Sequence, residues 1–192
     1  MVCVLPVIIS AIENPKDRDL MTEFYLTQNT RMYAEAWKYL STPEDVEDIV
    51  YEALTRIIEK IETFRSLLPP QRLQYAVTTV RNLSYIYTTR KNLHPTVPFE
   101  EICFELTTDS EDSPEALVEK RVFFKHLRDV WQEIKTEERM LLEQKYILRW
   151  TDEEIAEKLC IKSQSVRMRM TRAKRSVLKE LQKNGFDLAQ WK

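Results

Sequence analysis

The chain has 192 residues, 43 % of them hydrophobic, which suffices for a packed core and argues against wholesale disorder. A single Gly stands against 8 Pro, which disfavours β-rich folds, whose turns draw on glycine, and points to helices punctuated by Pro, Asn, Asp and Ser. Charged residues make up 31 % and the net charge is only −2, so a nucleic-acid signature must lie in the distribution of charge and not in its sum.

Residues 2–9 are apolar but few, have no Lys or Arg before them, contain Pro6 and are soon followed by Glu13. They read as a packed N-terminal tail within 1–15, not as a secretory signal, and no run of about 18 apolar residues predicts membrane insertion. A first helix is expected over 16–40, where Leu20, Phe24, Met32, Ala36 and Tyr39 recur at roughly helical spacing. Ser41-Thr42-Pro43 then stops one helix and starts the next, with Thr42 as N-cap, Pro43 in the first helical position, and Glu44 and Asp45 at the positive helix start. Val46, Ile49, Val50, Ala53, Leu54, Ile57, Ile58 and Ile61 form its apolar stripe. Pro69-Pro70 leads into a third helix over 71–91, which carries Arg72, Arg81, Arg90 and Lys91, no acid, and Tyr75, Tyr85 and Tyr87 between the cations.

Residues 99–119 hold Glu100, Glu101, Glu105, Asp109, Glu111, Asp112, Glu115 and Glu119 without one Lys or Arg. With Pro95, Pro98 and Pro114 nearby, this predicts an extended acidic linker, placed at 94–117. It divides the chain into two small all-α domains, 16–93 and 118–185, followed by a tail at 186–192.

The second block reads as a helix over 136–148, a short helix over 152–159, a turn at Cys160-Ile161-Lys162, and a long helix over 163–183 with Ser163 as N-cap. Thr151 with Glu154 is a capping box. Val166, Met170, Ala173, Val177 and Leu181 fall on one face of the long helix, and eight cations against one acid, Glu180, fill residues 162–183. A short helix, a tight turn and a cationic second helix form a helix-turn-helix that fits a major groove. Ser165, Arg167 and Arg169 are placed for base edges or adjoining phosphates, and Arg172, Lys174 and Arg175 for the DNA backbone. A solvated basic face is the bland alternative, which does not need so lopsided a balance. Cys160 stands where such turns favour Gly, at a cost of about 1 kcal/mol if its φ is positive.

Cys3, Cys103 and Cys160 lie far apart, with no CxxC and only His94 and His126 as further soft ligands. This predicts no metal site, no cofactor, and reduced thiols in a cytoplasm. No Gly-rich phosphate loop or nucleophile–base spacing suggests an enzyme.

Taken together, residues 43–53, Phe64-Arg65, 77–82, Arg90-Lys91, 112–115, 151–159 and 165–174 resemble, in order and spacing, an extracytoplasmic-function (group IV) RNA polymerase sigma factor. The resemblance runs from Leu20 to Leu181. It implies that the first block is sigma region 2 and the second is region 4. Asp45, Asp48, Ile49 and Glu52 would dock on the clamp of the largest subunit of core RNA polymerase; the flap is a second contact. Phe64, Arg65, Arg72, Tyr75, Arg81 and Asn82 would capture and melt the promoter −10 element, while the recognition helix reads the −35 element. Phe64 and Tyr75 are equally compatible with a core role, whereas Arg81 and Asn82 are costly to bury unpaired. An anti-sigma factor is a further candidate partner. Two rivals stand beside this reading: a conventional helix-turn-helix regulator acting without replacing a sigma subunit, and a helical adaptor whose basic helix binds an acidic protein.

Overall fold

The computed structural model describes residues 5–91 and 114–186, with side chains from 122 onward in the second stretch. Every regular element among these residues is an α-helix, as the composition predicts. The chain divides into two compact units, Met1–Pro98 and Phe99–Lys192.

In the first unit, α1 (Val7–Ser10) buries Ile9 and packs on α2 (Pro15–Ala36), α3 (Pro43–Glu59), α4 (Ile61–Ser66) and α5 (Pro69–Arg90) follow, and α2, α3 and α5 pack against one another. The helix starts are written locally. Asn14 caps α2 by accepting from the Lys16 amide at 3.0 Å, and Thr42 caps α3 by accepting from the Asp45 amide at 3.3 Å, each with Pro in the first turn. α3 is strongly amphipathic and buries Val46, Ile49, Val50, Ala53, Leu54 and Ile57. Its stripe continues past Lys60, but the backbone breaks there, and α4 begins as a separate element. α5 is buried along more of its circumference, with Tyr75, Ala76, Val80, Leu83 and Ile86 in the core beside Thr78, Thr79, Ser84 and Thr88. The Thr79 and Thr88 hydroxyls donate to backbone carbonyls of Tyr75 and Ser84, at 2.8 and 3.0 Å, so a helix can bury them without stranding a donor.

The second unit contains α6 (Pro114–Trp131), α7 (Thr136–Tyr146), α8 (Asp152–Leu159) and α9 (Ser163–Lys183). α9 packs on all three others. Met140, Leu141, Leu148, Trp150, Ile155, Val166, Met170 and Ala173 are buried around the helix-turn-helix. A second cluster joins Val130 with Leu181 and Phe186, and Phe123, Leu127 and Val177 pack against it. α6 starts inside the span expected to be linker, so the linker expected at 94–117 ends earlier; its remainder, 94–113, lies outside the described residues.

Candidate nucleic-acid interface

The helix-turn-helix is fixed at three points. At the start of α8, the Thr151 hydroxyl accepts from the Glu154 amide at 3.2 Å, and Glu154 accepts in return from the Thr151 amide at 2.7 Å, completing the predicted capping box. At its end, Cys160 adopts φ 52°, the Ile161 amide donates to the Ala156 carbonyl at 2.9 Å, and the Cys160 amide donates to Glu157 at 3.2 Å. That pair of bonds is a Schellman motif with cysteine in the left-handed position, so the turn keeps its geometry and bears the strain. At the start of α9, Lys162 takes the N-cap position and Ser163 the first helical one, with no side-chain cap bond. This corrects the expectation for Ser163. The first turn of α9 carries no acid to offset its positive end.

The predicted cations of α9 divide between two faces. Ser165, Arg169 and Arg172 stand at i, i+4 and i+7 and share one face, Ser165 half-buried and both arginines exposed, with Arg175 exposed alongside. Arg167 and Lys174 lie one heptad apart on another flank. Arg167 is 76 % exposed and its Nε donates to Asp152 Oδ2 at 3.2 Å. The Lys174 ammonium stands 5.3 Å from the centre of the Tyr146 ring. Lys174 also rims an apolar cavity of about 550 Å³ lined by Phe123, Leu127, Trp131, Leu142, Val177 and others. Lys183 is engaged by Glu133 and Glu180 at 3.2 and 3.0 Å, which ties the end of α9 to the turn after α6.

In the first unit the structure gathers several residues expected to meet DNA, but buries most of them. Phe64 is fully buried, with its ring edge-on to Phe24 at 5.0 Å and to Tyr75 at 5.9 Å. Tyr75, Arg81 and Asn82 are also buried, and the Asn82 amide donates to the Thr78 carbonyl at 2.9 Å. Phe64, Tyr75, Arg81 and Asn82 are therefore interior residues of this unit, and the last two bond to their own helix. Arg81 Nη2, for example, lies 3.4 Å from Thr78 Oγ1. Arg72 donates from Nε and Nη2 to the carbonyls of Phe64 and Arg65, at 3.3 and 3.0 Å, closing the C-terminus of α4. Arg65, half exposed, forks onto the buried carboxylate of Asp17, at 3.1 Å through Nε and 3.3 Å through Nη2. Leu68, at the start of α5, is the large apolar side chain exposed at this junction.

The acids of α3 divide likewise. Asp45 accepts from the Tyr87 hydroxyl and pairs with Lys91 at 3.2 Å, which joins α3 to the end of α5. The Tyr87 bond, aided by Thr42 and Lys91, holds its carboxyl below the usual range against a smaller opposing effect of burial. Ile49 is in the core. Asp45 and Ile49 are thus committed to the fold, whereas Asp48 is exposed, Glu52 is half-buried, and Tyr51 is exposed next to them.

Sequence reasoning missed Asp152 as a partner of Arg167 on α9, because the link is tertiary. It missed the apolar cavity because α6, which supplies one wall, was not recognised. Among the described residues no helix is long and apolar enough to cross a membrane, and no group of three or more His, Cys, Asp or Glu could hold a metal ion. No protein-family model matches the chain, and no curated protein matches it.

Proposed function

We propose that this protein is a promoter-specificity subunit of RNA polymerase, of the extracytoplasmic-function sigma type, with no catalytic chemistry of its own. The observation that carries the reading is α9: its exposed arginines follow a capped short helix and a tight turn, the arrangement that seats a helix in a major groove. The recognition helix then reads the upstream element through Arg167, Arg169 and Arg172, with Lys174 and Arg175 on phosphates. With Phe64 and Tyr75 buried, the exposed rim of the α4–α5 junction, with Arg65 and Leu68, is the surface we assign to the single-strand contact. Asp48, Tyr51 and Glu52 offer the clamp an acidic and aromatic surface, and the apolar cavity between α6, α7 and α9 offers the flap a seat.

The test is transcription by purified bacterial core polymerase from genomic fragments of the source organism, with and without the chain. Specific starts are expected only with it, and not when Arg167 and Arg169 are both changed to Ala. No transcript from any fragment would sink the reading. Tight binding of the free chain to a palindromic duplex would favour a conventional regulator instead.

A further inference from the structure

The Asp152 carboxylate joins three helices. It is the first residue of α8, its Oδ1 lies 2.6 Å from the Lys145 ammonium of α7, and its Oδ2 accepts from Arg167 Nε of α9 at 3.2 Å. The acid is partly buried, at 20 % side-chain exposure, and held from α7 as well, while Arg167 is solvated, so the acid is the anchor and the guanidinium the part being aimed. Lys145 first and Arg167 second hold the carboxyl below its usual range, against burial, which keeps it charged near neutrality.

We infer that Asp152 is a positioning residue that aims Arg167 at a base edge and makes it a specificity determinant. A guanidinium has five N–H donors in one plane. Fixing Nε orients that plane and leaves the terminal fork, which matches the two acceptors on the major-groove edge of guanine. The carboxylate also repels phosphate, so it biases Arg167 away from the backbone, the contact that an exposed arginine otherwise makes without regard to sequence. The inference rests on the proposed seating of α9 in DNA.

The test uses the full chain on bacterial core polymerase, selecting from duplexes with a randomised segment, followed by affinity measurements on selected and scrambled duplexes. Wild type should select a motif with one base pair whose preference disappears in Arg167→Ala. Asp152→Asn should weaken that preference about tenfold while leaving affinity for scrambled duplex equal or higher. Arg167→Lys, which keeps the charge without the fork and leaves α8 untouched, should lose the same preference. Lys145→Met should keep it. If Asp152→Asn lowers affinity evenly over all sequences, the acid is only a brace and the inference is overturned; an intact preference in that variant overturns it equally. If wild type selects no motif, the seating of α9 in DNA fails first and the role of Asp152 falls with it.

Discussion

Cys160 and Gly185 do the same job with different chemistry. Each follows a helix in the left-handed region, at φ 52° and φ 80°, and each is followed by an amide that reaches back five residues, Ile161 to Ala156 and Phe186 to Leu181. The one glycine of the chain meets no atom within 4 Å of where a Cβ would be, so the cost of a side chain there is conformational, not steric. Gly185→Ala should lower stability by about 1 kcal/mol, and Cys160→Gly should raise it by roughly 0.5–1 kcal/mol, both read from urea midpoints at constant slope. A lower midpoint in Cys160→Gly would show that the thiol contributes more than its backbone costs. Asp45 gives a pH-dependent counterpart. Its folded pKa is depressed, so its contribution is complete above the unfolded value near 3.8 and is lost as pH falls through the lower folded value. Asp45→Asn should therefore lower the midpoint at neutral pH and flatten the loss of stability as pH falls below the unfolded value. Equal acid sensitivity in both proteins would place the titrating groups elsewhere.

At the scale of elements, what the sequence shows and what it hides follow from the range of the interactions. The starts of α3 and α8 are legible to within a residue because Thr42-Pro43 and Thr151 with Glu154 act within one turn. α6 likewise has Pro at its first position, Pro114, but the run of acids in the sequence around it resembles a tether and conceals the pattern. The polar side of α5 misleads for a physical reason. Asn82 reads as DNA-facing, yet it is buried with Thr79 and Thr88, and a helix can bury such residues when their donors return to carbonyls one turn back. Phe64 shows the consequence for experiment. It joins α4 to α2 and α5 through edge-on contacts with Phe24 and Tyr75, so Phe64→Ala should cost about 3–5 kcal/mol. A loss of promoter opening in that variant would then follow the loss of fold, and chemical denaturation separates the two. A Phe64→Ala protein of wild-type stability that still failed to open DNA would return Phe64 to the functional surface.

For the whole molecule, the net charge of −2 conceals a segregation, because the eight acids of 99–119 offset the eight cations of 162–183. Counterion release depends on the phosphates that a surface neutralises and not on total charge, so binding by α9 should be steeply salt-dependent despite an almost neutral chain. Arg169 and Arg172 are the clean probes, since both are exposed on one face and stability should be unchanged within about 0.5 kcal/mol when either is replaced by Ala. If each neutralises one phosphate, each replacement should reduce the slope of log K against log salt by about 0.9, equally on all sequences. If one reads a base instead, its slope change is smaller and its loss of affinity is confined to duplexes that carry the preferred pair. Core association should separate from both effects. Asp48→Ala with Glu52→Ala should weaken binding to polymerase without moving the salt slope on DNA, whereas Ile49→Ala, which empties a core position, should cost about 2–5 kcal/mol of stability and act only through it. A salt slope unchanged by either arginine replacement would leave α9 a solvated helix, and the two-point promoter contact would lose its upstream half.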